Sequence, residues 1–261
     1  MPDIPDSTVQ IPQEQLCAEI CGFQVLTEPS QQAEERVIRT IEQGTGAWIL
    51  TLNVYMLAEM YLDPDYARIM TEVNYATADG MPVVWASAWC MGPRIEGRTT
   101  GIELSRAILS SPRIERIALI GGANPTEITH RFRPGASRSY LVWDGQITFS
   151  EQRAEALVAE LISHRTQIVL LALGIPKQDY FASFIKRHIP YITIIGIGGA
   201  LDALLGLRPP TPRLLQNLGL EWLFRLGCEP RRLWKRYLLH YPYGVLLLIQ
   251  ALWLKRARYR S

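Results

Sequence analysis

The 261-residue chain is poor in the residues that build metal centres and disulfide scaffolds: it has four Cys and four His. Cys17 and Cys21 stand four apart with no second pair or nearby His ligands to complete a site, and Cys90 and Cys228 stand alone. That pattern excludes a disulfide-stapled fold and a zinc ribbon, suits a reducing compartment, and predicts no metal site. None of His130, His164, His188 or His240 accompanies a Ser or Cys nucleophile motif, and no G-x-S-x-G, P-loop or H-E-x-x-H string occurs. Long apolar runs are also missing. The best stretch, Tyr237–Leu254, is interrupted by His240, Pro242, Gly244 and Gln250, whereas a spanning helix needs ~20 apolar residues. Met1–Gln15 holds Asp3, Asp6 and Glu14 but no Lys or Arg, so it does not read as a secretory signal.

Net charge is nearly absent too, at +2, which by itself argues against a strongly basic nucleic-acid binder. Its distribution argues otherwise. From Gly206 onward there are 11 Lys and Arg against Glu221 and Glu229, a net of +9, which leaves −7 on the first 205 residues. The same tail carries Trp222, Trp234, Trp253, Tyr237, Tyr241, Tyr243 and Tyr259. A basic, aromatic end on an acidic body reads as a surface for phosphates, anionic lipid or nucleic acid, or as a solvated helix pair. The apolar part of the tail either lies on a bilayer, with Lys255, Arg256, Arg258 and Arg260 at the head groups, or packs as a buried C-terminal helix.

Along the body, apolar runs alternate with helical spacing. Ala47–Leu52, Tyr75–Ala78, Arg116–Ile120, Tyr140–Trp143, Gln167–Leu173 and Tyr191–Ile197 read as strands. Gln32–Gln43, Val54–Leu62, Asp65–Val73, Pro82–Met91, Pro125–Arg131, a segment from a Ser150 cap to His164, and Lys177–His188 read as helices. Residues 1–22 read as a loose leader. The alternation predicts a parallel sheet covered on both faces over 23–205. Pro209, Pro210 and Pro212 then break the rhythm, and 206–261 reads as a helical appendage without its own core.

In such a sheet, ligands bind beyond the carboxyl ends of the strands, so the polar residues there are the candidates. Asp79, beside Gly80, is placed to take a proton from a hydroxyl, or serves only as a turn or cap residue. Thr51 and Asn53 suit sugar hydroxyls or a base, though Asn53 equally suits a helix cap. Gln178 follows Gly174-Ile175-Pro176-Lys177, a stiff loop that aims an amide at a ligand or simply starts a helix. Gly196-Ile197-Gly198-Gly199 permits backbone N–H groups to approach a phosphate, but it is not a dinucleotide fingerprint.

Taken in order, Thr51-Leu52-Asn53, Ala78-Asp79-Gly80-Met81-Pro82, Thr100-Gly101-Ile102-Glu103-Leu104, Gly174-Ile175-Pro176-Lys177-Gln178, Gly196-Ile197-Gly198-Gly199-Ala200-Leu201-Asp202 and Gly219-Leu220-Glu221-Trp222-Leu223-Phe224-Arg225, with Glu229-Pro230-Arg231-Arg232 after them, resemble the WecG/TagA/CpsF glycosyltransferases over about Phe23–Leu239. The resemblance implies a Rossmann-like α/β fold with a helical C-terminal appendage. It implies an inverting, metal-independent transfer from a UDP-sugar to a polyprenyl-diphosphate-linked saccharide, with no cofactor. The enzyme would attach peripherally to the anionic inner face of a bacterial plasma membrane and bind no nucleic acid. The resemblance makes Asp79 the general base and puts Thr51, Asn53, Gln178, Gly198, Gly199 and Asp202 around the substrate. It makes Arg225, Arg232 and Lys235 the diphosphate-binding cations, and it leaves room for a homo-oligomer. Asp179 stands where the family often has Glu, and Asp144–Phe149 and Thr126–Arg133 depart from the usual pattern, so the donor sugar does not carry over. Two other readings remain at this level: a nucleotide-binding oxidoreductase, suggested by the glycine-rich strand exits, and a non-enzymatic scaffold that docks on membranes through the tail.

Overall fold

The computed structural model describes residues 17–89, 93–132, 138–143 and 151–258. The leader up to residue 16, the stretch Asp144–Phe149, the Ser150 cap, the end of the Pro82–Met91 helix, Tyr259, Arg260, and the side chains of Lys255, Arg256 and Arg258 lie outside the described parts.

The chain opens with a hairpin of β1 (Cys17–Ile20) and β2 (Phe23–Leu26). It continues through α1 (Ser30–Gln43), β3 (Ala47–Leu52), α2 (Val54–Leu62), α3 (Pro64–Met70), β4 (Tyr75–Ala78), α4 (Met81–Trp89) and α5 (Gly101–Ser110). Then follow β5 (Arg116–Gly121), α6 (Pro125–Arg131), β6 (Ser139–Trp143), α7 (Glu151–Ser163), β7 (Ile168–Ala172), α8 (Lys177–His188), β8 (Thr193–Gly196) and α9 (Ala200–Leu204). The tail comprises α10 (Arg213–Asn217), α11 (Glu221–Cys228), α12 (Pro230–Trp234), a π-helical turn (Lys235–His240) and α13 (Tyr241–Arg258).

One eight-stranded sheet in the order β1-β2-β4-β3-β8-β7-β5-β6 carries the body. Every pairing is parallel except β1 with β2, so the sheet is the six expected strands with two unforeseen ones added at one edge, β2 parallel to β4 and β1 antiparallel outside it. The segment expected to be a loose leader therefore contributes a strand. Cys21 (φ 50°) and Gly22 (φ 86°) form its two-residue turn, with the two left-handed residues that suit strand twist. α5 was not foreseen either. It begins with a capping box: the Thr100 N–H donates to Glu103 Oε2 (2.8 Å) and the Glu103 N–H to Thr100 Oγ1 (3.3 Å).

Strand β3 shows why the body folds this way. All six of its residues are buried, because helices cover both faces of the sheet. Trp48, Leu50 and Leu52 point into a core with Met56, Leu57, Tyr66, Phe181 and Ile185. Ala47 and Ile49 point into a second core with Val37, Ile41, Leu104 and Ile108. The pairing Thr51 with Thr77 and Leu52 with Ala78 brings the next residues, Asn53 and Asp79, side by side at the carboxyl edge.

The tail is packed against this body. α13 crosses α2 so closely that a Cβ on Gly244 would sit 2.1 Å from the Val54 carbonyl oxygen. Leu233, Tyr237 and Leu248 are buried, His240 Nδ1 lies 2.9 Å from Glu59 Oε1, and Tyr61 stacks on Tyr243. The outward side exposes Leu238, Leu239, Leu246, Ile249 and Trp253. The tail thus buries a few side chains against the body and leaves apolar ones exposed on its other side. Among the described residues no helix is long and apolar enough to cross a membrane. Gly244→Ala is expected to cost about 1–3 kcal/mol through overpacking against backbone, measured as a lower Tm. An unchanged Tm would mean that α13 is not seated on α2.

Candidate active site

Three cavity lobes open at the carboxyl edge of the sheet, of about 620, 240 and 90 Å³. Asp79 and Arg225 line all three, which makes them the junction of a single crevice. The walls come from the exits of β3, β4, β7 and β8 below and from the tail above.

Asp79 follows β4, and its N–H donates to the Leu52 carbonyl (2.8 Å), which holds the backbone to the neighbouring strand exit. Among the described residues nothing hydrogen-bonds its carboxylate, so the turn or cap role has no bond behind it. Burial pushes this carboxyl up to about 6, and the Glu221 charge pushes the same way, against Arg225, Arg98 and Arg236. A carboxyl poised there is a base near neutrality and an acid only below it.

Thr51, Asn53 and Gln178 reach the second lobe, as expected from their strand exits, and each is also tied into the fold. Thr51 Oγ1 donates to the Gly196 carbonyl (2.9 Å), which locks β3 to β8. Asn53 Oδ1 accepts from Tyr55 and Met56 N–H (3.1 and 3.3 Å), so it caps α2 while facing the crevice. Gln178 Oε1 accepts the Gly198 N–H (3.1 Å). The backbone donor foreseen for a phosphate is therefore already committed. Behind Gln178, Asp179 is fully buried. Burial pushes its carboxyl up to about 7, and the Tyr66 hydroxyl donates to it (2.8 Å).

Asp202 lines the second lobe with both oxygens engaged, Oδ1 by the Ala123 N–H (2.9 Å) and Oδ2 by Arg208 (3.1 Å). Arg208 lies over Gly199, and both line the first and second lobes. Asp63-Pro64-Asp65 has the spacing of a D-x-D acid pair but faces elsewhere: Asp63 caps α3 and accepts from Tyr180, and Asp65 pairs with Arg68. Among the described residues no three His, Cys, Asp or Glu are grouped to hold a metal ion.

From the tail, Arg225 pairs with Glu221, which also receives Arg98 (2.7 Å), while Arg98 donates to Gln216 (2.8 Å). These contacts fasten the tail over Asp79. Arg232 reaches the second lobe and pairs with Glu229. Lys235 lines none of the three lobes. It is exposed against Trp234, 5.7 Å from the ring centroid. Its neighbour Arg236 lines the second and third lobes, with its guanidinium 4.2 Å from the Tyr55 centroid and its Nε buried without a hydrogen-bond partner among the described residues. The reason is local. Arg232 and Arg236 stand four apart where α12 runs on into the π-helical turn, whereas Arg225 belongs to α11, from which Glu229 (φ −132°, ψ 57°) and Pro230 separate them. Arg98 and Arg208 carried no helical spacing to mark them, because each comes from a loop.

A parallel α/β sheet with a carboxylate among arginines at its carboxyl edge forms a ligand-sized crevice whose charges suit an anionic group. The chain belongs to the glycosyl transferase WecG/TagA/CpsF family, whose model matches residues 18–258. It is also similar, at 26% identity over 205 residues (76% of this chain and 77% of the relative), to the N-acetylglucosaminyldiphosphoundecaprenol N-acetyl-beta-D-mannosaminyltransferase of Bacillus spizizenii. Family membership makes the chain a glycosyltransferase and sets aside the oxidoreductase and scaffold readings.

Proposed function

We propose that this enzyme transfers a sugar from a UDP-sugar to a polyprenyl-diphosphate-linked saccharide with inversion, without a metal or other cofactor, in the synthesis of a bacterial surface polysaccharide. The carrying observation is the Asp79 carboxylate at the junction of the lobes, without a hydrogen-bond partner among the described residues and close to Arg225. Asp79 takes the proton of the acceptor hydroxyl as its oxygen bonds to the anomeric carbon. The bond from that carbon to the UDP oxygen breaks, and its electron pair leaves with the diphosphate. Arg225, Arg232 and Arg236 stabilise that charge in the role a cation would otherwise fill, and their planar forks suit phosphate. The acceptor named for the Bacillus relative, a diphosphoundecaprenol-linked N-acetylglucosamine, supports a lipid-linked acceptor here. The exposed Leu238, Leu239, Leu246, Ile249 and Trp253 beside basic residues support peripheral attachment to the anionic inner leaflet.

The test is a transfer assay of a panel of UDP-sugars with a lipid-diphosphate acceptor. Transfer from at least one donor is expected, and no transfer from any of them would overturn the reading. In the same assay kcat/KM should rise with pH through about 6 and level off above it, because the base works deprotonated. Glu221→Gln should move that limb to lower pH. It removes a charge that raises the Asp79 pKa and frees Arg98 and Arg225, which lower it. A limb that stays in place would separate Glu221 from the base.

A further inference from the structure

The first glycine pair beyond β8 is usually explained by backbone N–H groups meeting a phosphate, but Gly198 gives its N–H to Gln178. Gly199 is not required by its own backbone either. Its φ of −84° and ψ of 20° are open to any residue. What requires glycine is a side chain. A Cβ on Gly199 would stand 2.1 Å from Arg208 Nη1 and 2.5 Å from Cζ. Arg208 arrives there because the chain reverses at Gly206 (φ 75°) and the Leu207 N–H closes on the Asp202 carbonyl (3.0 Å). Asp202 then grips Nη2 (3.1 Å), and is itself fixed through the Ala123 N–H. Pro209 and Pro210 stiffen the chain immediately beyond. The single Asp202 contact is the only hydrogen bond Arg208 makes among the described residues, so Nη1 and Nε stay open. The guanidinium lines the first and second lobes, as Arg225 does.

A partly exposed ion pair contributes little to stability, so stability does not explain a glycine kept clear, a carboxylate fixed between two loops and a stiffened return. We infer that Arg208, seated on Gly199 and oriented by Asp202, is a phosphate-binding group of the transfer site. The inference rests on the proposed UDP-sugar reading and deepens it. It assigns the β8 exit to a side-chain guanidinium rather than to backbone amides, and it makes Asp202 the positioning residue. The phosphate is that of the nucleotide donor or that of the lipid acceptor, which share this chemistry.

The test uses the full chain, with calorimetric titration of UDP and of inorganic diphosphate and with the KM of the lipid-diphosphate acceptor. Arg208→Gln is expected to weaken one of these about tenfold to a hundredfold, the range of a lost charged hydrogen bond, and Arg208→Lys less, since it keeps charge without the fork. Weaker UDP and diphosphate binding assigns the donor, and a raised acceptor KM alone assigns the lipid. Gly199→Ala need only displace the flexible end of Arg208, so the protein is expected to fold, checked by its thermal transition. It should reproduce the Arg208→Gln loss and add nothing in the Arg208→Gln background. Equal losses from Gly199→Ala in both backgrounds would return the site to the backbone, and unchanged binding and KM in Arg208→Gln would remove Arg208 from it. Both outcomes overturn the inference. A wild-type chain that binds neither UDP nor diphosphate and transfers no sugar would overturn the donor reading itself.

Discussion

Asp79→Asn is expected to lower transfer about 10²–10⁴-fold, the range supplied by a positioned base, with little change in Tm. The amide matches the carboxylate in shape and cannot take a proton. The fold should tolerate it because nothing among the described residues is bonded to the carboxylate, so its replacement strands no partner. Burial also disfavours the charged form, as the rise to about 6 records, so removing the charge relieves desolvation rather than adding to it. The check is a pair of rate profiles from acid to alkaline pH beside a thermal melt. In the variant the residual rate should lose the limb at about 6. A variant within several-fold of wild type that keeps the limb would show that another group takes the proton.

Arg225→Gln is expected to lower kcat about 10²–10³-fold, the cost of removing one preorganised charge donor from a developing anion. Arg225→Lys should retain part of the activity, because it keeps charge without the planar fork. The tail should stay in place, since Glu221 is still held by Arg98 and α13 still lies on α2. A second readout distinguishes this role from simple packing. Arg225 lowers the Asp79 pKa, so its loss should carry the acid limb to higher pH, opposite to the shift expected for Glu221→Gln. Turnover within twofold of wild type with an unmoved limb would make Arg225 a solvated surface charge.

Most of the body was legible because strands buried on both faces must be continuous apolar runs, as β3 and β7 are, and runs of that kind stand out. The β1–β2 hairpin was hidden by its shortness: four residues on each side, Glu19 exposed among them, and only Gly22 as a marker. Asp79, Thr51, Asn53 and Gln178 were legible as polar residues at strand exits and as parts of ordered family motifs, and all four line the crevice. Lys235 came from the resemblance by position and lies outside the three lobes, whereas Arg236, four residues beyond Arg232, lines two of them.

The sequence by itself determined the parallel sheet, the polar residues at its carboxyl edge and the division into an acidic body and a basic tail. Each of these follows from local pattern: apolar runs, strand exits and charge composition. Only the tertiary structure decided that the tail is fastened onto α2 and to Arg98, which cations reach Asp79, and that Gly199 serves a side chain. Those outcomes depend on how loops return and in what phase helices land, and both are set by packing between residues far apart in the chain. The near-neutral total concealed that arrangement, in which arginines of the +9 tail close over a carboxylate of the acidic body.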